Sequence, residues 1–246
     1  MGGRVVIVAD ERKPMDVLAE FLRTEGKFDV ACVEPKDLAP DLSGCAAALM
    51  YIHGAMDART EKILVDYARA GGRLVILHHG IASARLKNPE WLRLTGIHIP
   101  ARDDPKHPWR VIDGVTFTVV NLRPTHHITS HRVTWDRTVD FQVPDEGIAA
   151  GKYPALDLPN TEIYLNQQFT DGRAKTVLLG SRVVDPATGE AILQARSGWV
   201  KPAAKGWVFY LKPGHSEADF RNRNYSQMVL NCLTWRPGKG AEPSGR

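Results

Sequence analysis

The segment Lys205–Ser216 reads KGWVFYLKPGHS and combines an apolar run with a histidine that follows a Pro-Gly pair. The run Trp207–Leu211 is typical of a buried strand, and the Pro-Gly pair predicts a turn that exposes His215. A second segment, Arg73–Gly80, has the same construction, because its apolar run ends in His78, a second histidine and a glycine. The carboxyl ends of parallel strands meet at one edge of a sheet, where ligands bind in α/β folds. The two segments together predict one site that contains His78 and His215.

The first eighty residues alternate between strands and helices. Apolar runs predict buried strands, and the apolar residues that recur at helical spacing between them predict helices. The predicted strands are Val5–Ala9, Phe28–Val33, Ala46–Ile52 and Arg73–Leu77. Asp57 is expected to cap the helix that precedes the fourth strand. Strands that alternate with helices of this length form βαβ units, so the predicted fold class is α/β with a parallel sheet.

Composition and charge argue against several classes of function. The net charge of +4 is small and the basic residues are spread along the chain, so the sequence predicts no nucleic-acid binding. No apolar stretch approaches the roughly 18 residues of a membrane span. Three scattered cysteines and a start without a signal peptide predict a cytoplasmic protein without disulfides. Ala9-Asp10-Glu11-Arg12 follows the first strand in place of a glycine-rich loop, which predicts that no nucleotide cofactor binds.

The second half of the chain has a different texture. Residues 131–160 are rich in proline, glycine and charge and lack sustained periodicity. We interpret this segment as an irregular insertion or flap that closes over the site or forms a subunit contact. Residues 1–237 are predicted to form one domain, and residues 238–246 a disordered tail.

Four motifs, in the expected order, resemble the ThuA-like (trehalose utilisation) family. The strongest is the glycine–aromatic strand Gly206–Tyr210, followed by Pro213-Gly214-His215 and a closing helix that ends near Trp235. The other three are similar to the family's strand ending in histidine, its His-Pro-Ile-Thr segment and its acidic Asp-Glu-x-Tyr segment. They are Gly71–His78, His126–Thr129 and Thr161–Tyr164. The resemblance covers roughly Val5 to Trp235.

The resemblance implies a three-layer flavodoxin-like fold related to class I glutamine amidotransferases, with a mostly parallel sheet and helices on both faces. It also implies a carbohydrate substrate and a site formed by His78, His126, Glu162 and His215. His127 stands where the family has proline, so the sequence leaves open which of His126 and His127 faces the site. The amidotransferases carry a nucleophilic cysteine on the turn after the corresponding strand. This chain has His78 there, which excludes thiol-based glutamine hydrolysis.

These candidate residues are suited to two kinds of chemistry. Histidines and a glutamate at one sheet edge could bind a divalent metal, zinc or manganese, with His78 and His215 among the ligands. They could equally transfer protons without metal, because imidazole titrates near neutral pH. Glu162 lies in an apolar strand and is expected to be a buried acid or base with a raised pKa. His53, after the third strand, and Tyr164 are candidate substrate-binding residues.

Side chains alternate along a strand, so we expect His78 to face the site and His79 to face the opposite side. The predicted function is proton transfer on a sugar or keto-glycoside, with or without metal assistance, by an isomerase, lyase or hydrolase. The alternative is a non-catalytic protein that binds a carbohydrate or a partner on the same fold. The sequence leaves two questions open, the exact substrate and the choice between a monomer and a homo-oligomer.

Overall fold

The computed structural model describes residues 2–81, 83–171 and 175–238, so residues 239–246 of the predicted tail lie outside the described residues. The strands are β1 (Arg4–Ala9), β2 (Asp29–Val33), β3 (Cys45–Tyr51), β4 (Arg73–Leu77), β5 (Ile97–His98), β6 (Arg110–Asn121), β7 (Arg137–Val143), β8 (Ile148–Leu165), β9 (Gln168–Phe169), β10 (Thr176–Val184), β11 (Ala191–Ala203) and β12 (Gly206–Leu211). The helices are α1 (Arg12–Thr24), α2 (Ala58–Arg69), α3 (Pro89–Thr95), α4 (His127–Ser130), α5 (Glu217–Arg221) and α6 (Arg223–Thr234).

Within the described residues, every strand except β5 and β9 belongs to one sheet, in the order β2-β1-β3-β4-β12-β11-β10-β6-β8-β7. The strands from β2 to β12 in this order run parallel, and they form the parallel half of the sheet. In β4 and β12, Arg73 lies opposite Trp207 and Leu77 lies opposite Leu211. The two strands therefore end at the same level, and the residues that follow them share the carboxyl edge of the sheet.

The central strands of the parallel half are covered on both faces. In β1, Val5 and Ile7 pack with α1 and α6 on one face, whereas Val6 and Val8 pack with α2 and α3 on the other. Burial on both faces explains why these strands are continuous apolar runs rather than alternating ones. The arrangement confirms an α/β, three-layer, flavodoxin-like fold with helices on both faces of the sheet.

The sheet is more mixed than the sequence predicted. From β12 onwards, the pairings β12–β11, β11–β10, β10–β6, β6–β8 and β8–β7 are antiparallel, and these strands form the antiparallel half. A hairpin loop that contains Asp185–Gly189 joins β10 to β11. No local sequence pattern distinguishes a parallel from an antiparallel partner, so the extent of this half was not predictable.

The interpretation of residues 131–160 as an irregular flap is wrong. The segment contains β7 and the first part of β8, which pair with each other at the edge of the sheet. Val139 and Phe141 alternate with exposed residues along β7 and are buried, as in a strand with one covered face. Pro154 and Pro159 in β8 hid the strand signal, because proline usually argues against a strand interior.

Two smaller predictions about the helices can be compared directly with the structure. Asp57 caps α2, because its Oδ1 accepts a hydrogen bond from Thr60 N at 2.8 Å. None of the helices in the described part of the chain is long and apolar enough to cross a membrane.

Candidate active site

His78 and His79 both reach one cluster of side chains after β4. The strand ends at Leu77 and the backbone enters a 3-10 turn, with His78 at a left-handed φ of 45°. Strand alternation therefore ends before the histidines, and the prediction that His79 faces the opposite side is wrong. Both side chains are fully buried, and their ring centroids lie 4.3 Å apart at an interplanar angle of 62°.

The turn after β12 presents His215 to the same cluster. Gly214 has a φ of 106°, and a Cβ at this position would lie 2.7 Å from Tyr225 Oη, so the turn requires glycine. The Oδ2 atom of Asp219 accepts a hydrogen bond from His215 N at 2.7 Å and fixes the backbone. The ring centroids of His78 and His215 are 5.3 Å apart, so the two strand-end histidines do share a site.

Glu162 reaches this cluster from β8, although three strands separate β8 from β12 in the sheet. Neighbouring strands lie about 4.8 Å apart, so a flat sheet would hold β8 roughly 19 Å from β12. The β6–β8 ribbon bends instead. Its register shifts on both sides of Val115, and Gly114 and Asn160 adopt left-handed φ values of 68° and 52°. Irregularities of this kind re-aim side chains beside functional sites, and Glu162 Oε1 thereby lies 3.0 Å from His78 Nε2.

The imidazoles around Glu162 determine its protonation. His215 Nδ1 lies 3.6 Å and His79 Nδ1 lies 3.8 Å from Glu162 Oε1. Burial alone would raise the pKa of Glu162, but the hydrogen bond and charge of His78, together with a hydrogen bond from Tyr164, lower it to about 2. The expectation of a raised pKa for Glu162 is therefore wrong. Burial and the adjacent His78 lower the pKa of His79, so that ring is neutral at neutral pH.

Tyr164 lies beneath the histidines and not at an open surface, since it is only 3% exposed. Its hydroxyl lies 2.9 Å from His79 Nδ1, and its ring stacks on Trp109 with centroids 5.5 Å apart. Burial and the negative charge of Glu162 raise the pKa of Tyr164 well above its ordinary value. The hydroxyl therefore keeps its proton and donates a hydrogen bond to Glu162. This position favours a role in holding His79 and Glu162, rather than the substrate contact that we expected.

Glu11 and His53 extend the cluster towards solvent. Their side chains are 41% and 61% exposed, and Glu11 Oε1 lies 2.9 Å from His53 Nδ1. The His53 ring stacks on His79 with centroids 4.4 Å apart at 17°. Asp10 fixes the loop, because its carboxylate accepts hydrogen bonds from His53 N at 2.8 Å and Gly54 N at 2.7 Å. The structure thus brings His53 to the site.

Sequence reasoning missed Glu11 and His79, and a usable signal existed for each. Glu11 follows β1 at the carboxyl edge, so the argument applied to His78 and His215 also selects it. His79 precedes Gly80, and a Cβ on Gly80 would lie 2.6 Å from Met50 Sδ, which shows how closely this turn packs against β3. A turn that begins at the first histidine presents both histidines to one side.

The structure does not bring His126 to this cluster. His126 caps α4 through Nδ1, which accepts a hydrogen bond from Ile128 N at 3.2 Å, and its ring stacks on Trp235 at 5.7 Å. Trp235 in turn packs against Trp207, at the start of β12 and therefore towards the opposite edge of the sheet. His127 contacts Thr234 in the same region, so neither histidine of this pair faces the site.

The cluster combines ligand-type and proton-transfer groups. One ligand atom from each of four residues lies within 4.8 Å of the others: His78, His79, Glu162 and His215. A second set that meets the same distance consists of Glu11, His53 and His79. The three cysteines are unpaired and contribute to neither set, so the cluster offers imidazole and carboxylate chemistry without a thiol.

Comparison with known proteins relates the chain to one family. The profile of the ThuA family, which is described as trehalose utilisation, matches residues 6–236. No curated protein sequence matches the chain.

Solved structures share the fold at low sequence identity. A ThuA-like protein from Parabacteroides merdae ATCC 43184 has a TM-score of 0.65 and 14% identity over 100% of this chain and 96% of that chain. A ThuA-like protein from Bacteroides uniformis ATCC 8492 has a TM-score of 0.63 and 13% identity over 98% of this chain and 94% of that one. A β-galactosidase from Rahnella sp. R3 matches 94% of this chain with 30% of its own, with a TM-score of 0.53 and 11% identity. The profile match spans nearly the whole chain, and the chain therefore belongs to the ThuA family.

Proposed function

We propose that this chain is an enzyme that processes a carbohydrate by moving a proton next to a carbonyl group. The observation that carries the proposal is the convergence of four imidazoles and two carboxylates at one sheet edge. They are His53, His78, His79, His215, Glu11 and Glu162. Imidazole and carboxylate are the groups that most often transfer protons in enzymes. The family description, trehalose utilisation, supports a substrate of the disaccharide class.

His53 is the proposed general base. Its Nδ1 lies 2.9 Å from the Glu11 carboxylate, so the Nδ1–H group donates to Glu11 and Nε2 keeps its lone pair. A carboxylate behind an imidazole fixes the tautomer and the orientation of the ring. The His53 side chain is 61% exposed, which leaves that nitrogen accessible to a bound sugar.

Glu162 is not suited to the role of base, because its pKa of about 2 makes its carboxylate a weak proton acceptor. We assign it instead to orienting His78 and His215, and the His215 ring would stabilise negative charge on the substrate oxygen by donating an N–H hydrogen bond. Of these residues His215 is the most open, with 32% of its side chain exposed. A sugar carbonyl placed beside His215 would lie between this ring and the proposed base.

The chemistry of a keto-sugar determines the class of reaction. A carbonyl makes the proton on the neighbouring carbon acidic enough for a histidine to remove. The C–H electron pair then forms a carbon–carbon double bond, and the carbonyl oxygen takes up the negative charge. Isomerisation follows when the enolate oxygen takes a proton from the hydroxyl on the neighbouring carbon and the abstracted proton returns to the former carbonyl carbon. Elimination follows when the carbonyl re-forms and the double bond moves to the next carbon, which expels the glycosidic oxygen as a hydroxyl once it has taken up a proton. Neither outcome changes the overall oxidation state.

Deuterium exchange provides a direct test. Disaccharides oxidised at a ring carbon, such as keto-trehalose, are incubated with the protein in D₂O, and exchange of the C–H beside the carbonyl is followed by NMR. We expect His53→Ala and His215→Ala each to slow exchange or turnover by about 10²–10⁴-fold, with little change in melting temperature. His98→Ala removes an exposed histidine of β5 outside the cluster and serves as the matched control.

Two results would contradict this function. Exchange rates in both variants equal to the wild-type rate would remove the cluster from the chemistry. Saturable binding of the sugar without exchange or turnover would favour the alternative, a non-catalytic carbohydrate-binding protein on this fold.

A further inference from the structure

We propose that His78, His79, Glu162 and His215 bind one divalent transition-metal ion of the zinc class. The proposal deepens the proposed function and rests on it only for the catalytic role of the ion. At this position an ion would act as a Lewis acid on the substrate oxygen, while His53 remains the base. The binding site itself is inferred from the geometry of the four side chains.

The tautomer of His78 is the first observation. Its Nδ1 lies 2.7 Å from the carbonyl oxygen of Lys212, which can only accept, so Nδ1 carries the hydrogen. Nε2 faces the Glu162 carboxylate at 3.0 Å, as a hydrogen-bond donor when the ring is protonated and through its lone pair when the ring is neutral. Two electron-rich atoms at this distance need a cation or a shared proton between them. A histidine that donates its far N–H to a backbone carbonyl is also typical of metal ligands.

Unpartnered ring nitrogens are the second observation. Among the described residues, His79 Nε2 and His215 Nδ1 are buried and have no hydrogen-bond partner. Buried polar atoms in folded proteins almost always have a partner, so each exception calls for an explanation. His215 Nδ1 lies 3.6 Å from Glu162 Oε1, on the side of the carboxylate where His78 also lies. His79 Nε2 faces Glu11 Oε2 at 3.8 Å, so a hydrogen on Nε2 would leave the lone pair of His79 Nδ1, the nitrogen near Glu162, for the same ion as His215 Nδ1.

Ligand spacing and ring orientation are the third observation. Tetrahedral zinc ligands at about 2.0–2.1 Å from the ion lie roughly 3.3 Å apart. The distances to Glu162 Oε1 bracket that value: 3.0 Å from His78 Nε2, 3.6 Å from His215 Nδ1 and 3.8 Å from His79 Nδ1. The rings of His78, His79 and His215 are tilted by 62–89° to one another. Since the lone pair of an imidazole lies in its ring plane, tilted rings can converge on one ion.

The neighbouring set of Glu11, His53 and His79 fits an ion less well. The rings of His53 and His79 are nearly parallel, at 17°, with their centroids 4.4 Å apart. An ion between stacked rings would lie outside both ring planes and away from both lone pairs. Glu11 and His53 are also largely exposed, whereas His78 and His79 are fully buried. The geometry therefore assigns the ion to the inner set of four residues.

The ligand set selects the class of metal. Three imidazole nitrogens and one carboxylate oxygen suit borderline divalent ions such as Zn²⁺ and Co²⁺, whereas Mg²⁺ and Ca²⁺ prefer oxygen ligands throughout.

The test is titration of the chelator-treated full-length protein with Zn²⁺ by calorimetry and with Co²⁺ by visible absorption, with no carbohydrate present. We expect one equivalent of metal per chain and the d–d spectrum of Co²⁺ bound by nitrogen and oxygen. His215→Ala and Glu162→Gln should each weaken binding at least 10-fold, since each removes a ligand. His127→Ala is the matched control, because it disrupts the exposed pair in which the His127 and His131 rings stack at 4.8 Å.

Several outcomes would overturn the metal site. They are no saturable uptake by the wild-type protein, wild-type affinity in both ligand variants, or loss of binding in His127→Ala alone. Circular dichroism of each metal-free variant excludes misfolding as the cause of lost binding. Full exchange activity after chelation would reject the catalytic role of the ion and leave the proposed proton transfer intact. One bound equivalent of metal without activity on any keto-sugar would support the metal site and reject the proposed function.

Discussion

Asp219 shows how one buried side chain can fix the position of a candidate catalytic histidine. It is 1% exposed, and its Oδ2 accepts hydrogen bonds from His215 N at 2.7 Å, Ser216 N at 3.1 Å and Thr161 Oγ1 at 2.8 Å. These contacts join the turn after β12 to the end of the β6–β8 ribbon, next to Glu162. The same carboxylate completes a capping box with Ser216 at the start of α5.

We predict that Asp219→Asn lowers the free energy of unfolding by about 2–3 kcal/mol. An amide replaces charge-assisted hydrogen bonds with weaker ones and turns its NH₂ group towards other donors. Urea unfolding measures the effect. Asp16→Asn is the matched control, because Asp16 is 57% exposed and forms a surface ion pair with Arg12, so its loss should cost under about 0.5 kcal/mol. Equal stability of the two variants would contradict the role assigned to Asp219.

At the scale of the elements, the sequence predicted what depends on local pattern. The apolar runs of β1, β3, β4 and β12 lie within about two residues of their predicted ends, because both faces of these strands are covered. His215 was predictable because Gly214 precedes it and defines the turn. The apolar strand marked Glu162 as a buried acid or base, but only the family resemblance placed it in the site with the histidines, since its place in the cluster depends on the bend at Gly114 and Asn160. Neither register nor bending is encoded in a local apolar pattern.

The start of α4 explains why His126 resembles a site residue without being in the site. Its imidazole serves as the helix cap, with Nδ1 accepting from Ile128 N, and its ring packs on Trp235. Burial, with smaller contributions from His127 and Arg123, lowers the pKa of His126 to about 4. Protonation would also remove the lone pair that accepts the capping hydrogen bond. A structural role of this kind is sufficient to account for the side chain.

A pH dependence of stability follows from His126. The unfolded chain binds a proton at this ring near pH 6.5, whereas the folded chain binds it near pH 4. The stabilising contribution is therefore complete above pH 6.5 and is lost as the pH falls towards 4. His126→Asn keeps a capping acceptor but does not titrate. We therefore expect the free energy of unfolding of this variant to fall by about 1–3 kcal/mol less than that of the wild-type protein over this pH range, the value for a partly buried group. Urea unfolding at several pH values provides the comparison, and parallel curves for the two proteins would contradict the assignment.

At the scale of the whole molecule, the candidate site depends on both halves of the sheet. His78 and His215 follow strands of the parallel half, whereas Glu162 and Tyr164 belong to β8 in the antiparallel half. One hydrophobic cluster also spans both halves, with Val5 and Phe209 on one side and Phe117, Leu158 and Ile163 on the other. Neither half can bury this cluster or assemble the site without the other.

We therefore predict that the two halves unfold as one cooperative unit. Hydrogen exchange in increasing urea, followed by mass spectrometry, should show peptides from β1–β4 and from β6–β8 losing protection at the same urea concentration. Leu158→Ala sharpens the test, because removal of this buried side chain from the antiparallel half should cost about 2–5 kcal/mol. If the halves share one core, the substitution lowers the urea concentration at which protection is lost by the same amount for peptides of both halves. A shift confined to β6–β8 would mean that the parallel half is stable alone, and that Glu162 approaches His78 from a separate folding unit.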